Sequence, residues 1–245
     1  MVSSKEARRV LVVPGEVICE GEFKVLTPNY IIKVDGKYVA TAVGLAQISE
    51  DSRELSFIPL EGCYVPQVDD IVIGYVVDVG LTYWEVDIRA PFTAILYAVD
   101  FLGRPVNPAK EDLSNYLSTG DTIIAKVEVF DRNRGPIVST KGKGLGKVVQ
   151  GTIVEISPVK VARVIGRRGS MHQLLQSETG CDIAVARNGR ILINCPNKEL
   201  EDILIMAILK IEREAHIPGL TDRIKEFIIR EKVRRGLIGG EGKAT

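Results

Sequence analysis

Apolar and polar positions alternate along the first 140 residues of the chain, a strand period, and helical spacing takes over further on. RVLVVPGEVI (9–18) is a β-rich run broken by Pro14–Gly15. YIIKVDGKYVATAVG (30–44) holds Asp35–Gly36 between two alternating runs, a strong hairpin signal. LSFIPL (55–60) follows, then the turn-rich EGCYVPQVDD (61–70). These features define an N-terminal β module over 1–65. It is too short to be robust alone and is expected to pack on something else.

A second module spans 66–142. Runs at 71–79 and 83–88 surround a Gly80 turn, and PFTAILYAVDF (91–101) reads as a third strand. A polar insertion with a short helical turn near 110–117 separates these from DTIIAKVEVFD (121–131) and PIVST (136–140), which RNRG joins. Five short antiparallel strands predict a small closed barrel of the OB kind, because closure removes exposed edges. KGKGLGK (141–147) reads as a flexible hinge.

After the hinge the predicted order is β-α-α-β-β-α over 147–217. GTIVEIS is a strand, VKVARVIG a short helix, and SMHQLLQSETG a second helix stopped by Gly180. CDIAVARNGRILINC is a hairpin with a type I′ turn at Asn188–Gly189. A long amphipathic helix starts after Pro196, with Asn197 as its cap. Residues 218–245 form a C-terminal helix and tail. The fold class is multidomain, β followed by α+β.

Charge distribution sharpens this division. Formal net charge is zero, which excludes a uniformly basic nucleic-acid coat. Residues 1–65 carry 7 basic and 9 acidic side chains, 66–146 carry 8 and 11, and 147–245 carry 17 and 12, a net of +5. A basic module therefore follows two mildly acidic ones, and local field governs attraction of a polyanion. The four cysteines form no C-x-x-C pair, which argues against a zinc ribbon. There is no secretory signal and no 18-residue apolar run, so no membrane is expected. A cytoplasmic location with free thiols is the expectation.

The densest positive charge sits on flexible backbone, in Gly166-Arg167-Arg168-Gly169 between two helices. A helix N-terminus favours phosphate, glycine admits a sugar–phosphate chain closely, and arginine adds directional donors. Val161, Ile165, Ile183 and Val185 are candidates for an adjoining base groove. A bare G-x-x-G can also be only a tight turn with its arginines in solvent; the surrounding β-α-α-β-β-α order favours a clamp for single-stranded nucleic acid.

VARVIGRRGSMHQLLQSETGCDIAV resembles the core of a KH domain of the type I arrangement, across residues 150–215. Residues 66–142 resemble an S1-type OB domain, a single-strand RNA reader. That resemblance implies base stacking on Tyr83, Trp84 or Phe92, of which Trp84 and Phe92 could equally be barrel core. It also points to Arg89, Arg132 and Arg134 on loops near one end of the barrel, with solvated turns as the alternative. An N-terminal β module, then S1, then one KH resembles the RNA-binding cap subunits of the archaeal exosome, of the ribosomal-RNA-processing-protein-4 type. The resemblance implies three copies on a hexameric ring of RNase PH-like subunits, with the N-terminal module docked on the ring. Single-stranded RNA would pass to the ring 3′ end first.

No catalytic cluster is legible. His172 and His216 are the only histidines; His172 reads as a surface residue that could stand near RNA. Asp69–Asp70 lacks a third carboxylate at metal-binding spacing and reads as a turn. The chain is expected to be no enzyme and to need no metal or cofactor. A free-standing S1/KH regulator of transcription or translation is the alternative function.

Overall fold

The computed structural model describes residues 8–131 and 134–237. The chain divides into two compact units, Met1–Gly62 and Cys63–Thr245.

The first unit holds β1 (Arg8–Val12), β2 (Val17–Glu20), β3 (Lys24–Val25), β4 (Ile31–Val34), β5 (Lys37–Ala40), β6 (Gly44–Ser49) and β7 (Glu54–Pro59). They form two sheets, ordered β1-β6-β7-β3 and β2-β5-β4. Asp35 and Gly36 both take positive φ, 49° and 77°, and Val34 pairs with Lys37. That is the tight hairpin the Asp–Gly pair demands. Alternation is strict in β6, whose Ala46 and Ile48 face a core with Val12, Leu55 and Phe57. The opposite face is mixed, with a polar row of Arg9, Gln47 and Ser56 beside one apolar row. Leu11 lies beside Leu45, and Leu45 beside Ile58, in one cross-strand row. Leu11 is 59 % and Ile58 45 % exposed.

The second unit begins with the barrel: β8 (Ile71–Val79), β9 (Tyr83–Asp87), β10 (Ala94–Tyr97), α1 (Ala98–Leu102), β11 (Thr122–Asp131) and β12 (Gly135–Ser139). β12 pairs with β10 in parallel and with β11 antiparallel, which closes the cylinder. The third strand is shorter than its apolar run suggests. Ala98–Leu102 turns helical and ends at Gly103 in the left-handed region, so the run 91–101 spans a strand and a helix. The glycine-rich 141–147 is likewise no free hinge. Its end forms β13 (Gly146–Lys147), paired with β11, and Lys147 and Lys141 bind Asp121 and Asp100 at 2.6 and 2.5 Å. Alternate glycines here supply positive φ at three turn positions, and the lysines anchor the crossing to the barrel.

β14 (Thr152–Glu155), α2 (Val161–Ile165), α3 (Ser170–Thr179), β15 (Asp182–Val185), β16 (Arg190–Asn194), α4 (Lys198–Glu214) and α5 (Leu220–Arg234) complete the chain. The sheet order is β14-β16-β15, every pair antiparallel, as the type I arrangement requires. Asn197 caps α4 by accepting from the Leu200 N–H at 2.8 Å. Val164, Leu175, Ile191, Leu204 and Ile208 centre the core, and Ile224 and Ile228 of α5 close it.

The expectation of free thiols fails at one pair. Cys181 and Cys195 form a disulfide with Cα atoms 4.3 Å apart. They flank the Asp182–Asn194 pair, so the hairpin register itself brings them together. Cys19 and Cys63 remain free. Closing a loop of this length in the unfolded chain stabilises by up to about 3 kcal/mol. Replacing both Cys181 and Cys195 by serine is expected to lower the melting temperature by several degrees, and reductant should lower that of the native protein but not of the variant.

Candidate nucleic-acid interface

Gly166 ends α2 with φ 75°, and its amide donates to the Ala162 carbonyl at 3.0 Å. A Cβ there would lie 2.6 Å from the Met171 nitrogen, so only glycine lets the next helix approach so closely. Arg168 is itself left-handed, with φ 52°. Gly169 is the N-cap of α3, with φ 81° and no side chain to accept from the first amides. The helix thus presents uncapped N–H groups at a surface notch, the arrangement that receives a phosphate. Arg167 and Arg168 are exposed and have no ion pair among the described residues. Arg163, on the exposed face of α2, is likewise unpaired and adds to the field. Its sequence signal, one more basic residue beside the loop, is visible only in hindsight.

Beside the notch runs β15, the outer strand of its sheet. Of the four groove candidates, Val161 and Ile183 are turned into the core, whereas Ile165 and Val185 stay half-buried. Ile183 and Val185 share a strand face, but Ile183 lies opposite Ile193 under the helices, while Val185 stands at the strand end against the rim of the same core. The groove wall is therefore Ile165, Val185 and the backbone edge of β15, and the side chains of Val161 and Ile183 only support it.

The barrel candidates separate in the same way. Trp84 is fully buried, stacks edge-on against Phe101 at 5.3 Å, and donates its indole N–H to the Leu117 carbonyl at 3.0 Å. It is barrel core and offers no stacking face. Tyr83, its neighbour in β9, points outward, half-exposed. It pairs across the strands with Tyr97, 41 % exposed, which the sequence reading missed because the residue ends a strand and starts a helix. Phe92 is 36 % exposed and lies 5.8 Å from the Phe130 ring. Arg134 is exposed close to this pair in sequence, its amide donating to the Asp131 carbonyl at 3.1 Å. Arg132 lies outside the described residues. Asp69 binds Lys126 at 2.5 Å, and Asp70 accepts from the Tyr64 hydroxyl at 2.7 Å, so the acidic pair builds a turn.

Arg89 is the clearest departure. It does not project toward solvent from its loop. Its guanidinium donates to the Ile156 carbonyl at 2.6 Å and stands 3.9 Å from Glu155, which joins the barrel to the α+β domain. The same seam explains Asn188–Gly189. Asn188 has no positive φ; only Gly189 does, at 84°, so the turn is not type I′. Asn188 is fully buried instead. Its amide donates to the Ile73 and Ile88 carbonyls of the barrel at 2.7 and 2.9 Å. Arg190, buried and lying over the Tyr75 ring at 4.3 Å, bridges Asp87 at 2.5 Å and Glu155 at 2.9 Å. Burial is the largest single influence and works against ionising Asp87, but the hydrogen bonds from Arg190 and the Arg89 amide, with the charges of both arginines, together outweigh it and hold the carboxyl below its ordinary range. The Arg187 amide adds a bond to the Ile71 carbonyl at 2.9 Å. Tertiary hydrogen bonding outweighs the local turn preference that the sequence displays.

Among the described residues no group of three or more His, Cys, Asp or Glu side chains could hold a metal ion. No helix among them is long and apolar enough to cross a membrane.

The fold defines a class of RNA-binding protein: an OB barrel bonded to a type I KH domain, preceded along the chain by a small β module. Comparison with known proteins agrees. Residues 9–61 match the family model described as "Exosome RNA binding protein RRP4 N-terminal domain", and 151–199 match the KH domain model. The chain is 49 % identical over 243 residues to "Exosome complex component Rrp4" of Ignisphaera aggregans, covering 97 % of this chain and 96 % of that one. It is 50 % identical over 238 residues to the protein of that name from Saccharolobus solfataricus, covering 97 % and 94 %. A crystal structure described as that of an exosome complex RNA-binding protein is 52 % identical, with a TM-score of 0.68, over 71 % of this chain and 99 % of that one. The chain belongs to the Rrp4 family of exosome complex components.

Proposed function

We propose that this chain is a non-catalytic RNA-binding cap subunit of the archaeal exosome. It captures single-stranded RNA and guides the 3′ end to the phosphorolytic sites of a hexameric ring of RNase PH-like subunits, in three copies per complex. The observation that carries this reading is the end-to-end match to proteins named as exosome components. The geometry supplies its chemical counterpart, an uncapped helix start flanked by two unpaired arginines beside an open strand edge. That arrangement binds a backbone and breaks no bond.

The N-terminal unit offers the docking face. An isolated small β module ordinarily keeps the outer face of its sheet polar. Here Leu11, Leu45 and Ile58 form a continuous row on that face. Burying such a row yields about 25 cal/mol per Å² of apolar area. Mixing the chain with RNase PH-like ring subunits is the test, read by native mass measurement. Co-assembly is expected for the native chain, with loss of about a hundredfold in affinity for Leu11→Asp/Ile58→Asp, since two charges enter an apolar contact. A native chain that elutes apart from the ring would favour the free-standing regulator. RNA shortening by the purified chain alone would make it an enzyme.

A further inference from the structure

His172 stands three residues past Gly169, in the first turn of α3, half-buried between that helix and the outer strand. Its Nε2 lies 2.9 Å from the Ile183 carbonyl oxygen of β15. A carbonyl can only accept, so Nε2 carries the proton and donates. In the neutral ring Nδ1 is then the acceptor, and it has no hydrogen-bond partner among the described residues. The tautomer is set by the strand.

The placement has a consequence for the groove. Ile183 O points out of the sheet toward α3, so by the two-residue period Val185 presents its N–H and C=O on the same side. The open edge of β15 is thus a ladder of backbone donors and acceptors, with its Ile183 carbonyl already taken by the imidazole. At that rung the remaining acceptor is Nδ1 of the half-buried imidazole, on the ring side nearer the helix that starts at the notch. β15 is the strand edge beside the Gly166–Gly169 loop, within reach of a base whose phosphate would sit at that loop.

We infer that His172 is a base-contacting residue of the groove, with Nδ1 accepting an N–H from the edge of a nucleobase while the arginine loop holds the backbone. The inference rests on the reading of this groove as a single-strand RNA site. It assigns the two grips different chemistry: Arg167 and Arg168 meet phosphate and ignore the base, and His172 meets the base and ignores phosphate.

The experiment compares binding of a short single-stranded oligoribonucleotide with that of its abasic counterpart of equal length and charge. The native chain is expected to bind the base-bearing strand more tightly. His172→Ala should weaken that binding by about fivefold, the worth of one hydrogen bond, and leave the abasic strand unchanged. His172→Gln, which keeps a donor for Ile183 O and an acceptor beyond it, should recover part of the loss. A His172→Ala variant that weakens both strands equally, or neither, overturns the inference and gives the histidine a merely structural part. A native chain that binds neither strand removes the RNA reading itself, a result distinct from either.

Discussion

Replacing Gly189 by alanine is expected to open the joint between barrel and KH domain and to lower the melting temperature of the second unit by roughly 6–12 °C. Two costs act together. Gly189 has φ 84°, a conformation that costs an L-residue about 1–2 kcal/mol. A Cβ there would also lie 2.3 Å from the Ile156 carbonyl oxygen, and Arg89 Nη1 and the Pro158 nitrogen stand 3.1 Å away. Backbone atoms cannot swing aside as a flexible side chain can, so the hairpin must withdraw from the barrel. Withdrawal breaks the Asn188 bonds to Ile73 and Ile88; the Ile88 carbonyl loses its Asn188 donor, at about 1–3 kcal/mol if it stays dry, whereas the Ile73 carbonyl also accepts from Arg190 Nη1 at 3.2 Å. A total near 3 kcal/mol, at about 2–4 °C per kcal/mol for a unit of this size, sets the expected shift. Gly144→Ala is the matched control. Its φ is 80°, yet nothing lies within 4 Å of the added methyl, so only the conformational cost applies. Calorimetry and limited proteolysis across 141–147 read both variants. Equal melting of Gly189→Ala and the native chain would show that the seam contributes nothing.

The contrast between these glycines also explains how far the sequence could be read. Strand periodicity, the Asp35–Gly36 turn, the Asn197 cap and the G-x-x-G loop are local devices, and each forms as its residues dictate. The barrel and the βααββα order follow from them. What the sequence concealed are contacts between residues apart in the chain, from 14 positions for the disulfide to 115 for Asn188 and Ile73. Asn188–Gly189 reads as a turn because the pair is common in turns, and nothing nearby shows that the asparagine is reserved for Ile73 and Ile88. Arg89 reads as a free loop cation because its partner carbonyl lies 67 residues away. Arg190 sits in an apolar run with no local sign of its two carboxylates. Cys181 and Cys195 become a pair only when the hairpin register is known.

That distinction bears on which arginines should matter for RNA. Substituting Arg167 and Arg168 together by alanine is expected to weaken single-stranded RNA binding by about 10- to 100-fold at low salt. Both guanidiniums are exposed, carry no internal ion pair among the described residues, and flank the uncapped start of α3. Neither is needed for the core, so melting should hardly move. Each phosphate contact on a single strand contributes about 0.7 to the slope of log affinity against log salt, so the double variant should flatten that slope by about 1.4. Arg104→Ala is the control for loss of a surface charge. Its guanidinium is held bidentately by Glu111 at 2.9 and 2.6 Å, already neutralised within the barrel insertion, and its removal should leave the slope alone. Arg89→Ala should instead act through the seam, lowering stability first and affinity only as the domains part. If the Arg167→Ala/Arg168→Ala variant retained both affinity and salt slope, the notch would have no part in holding RNA. The exposed barrel residues, Tyr83 with Tyr97 at one end of the β9–β10 ladder and Phe92 with Arg134 toward the other, would then have to supply the grip.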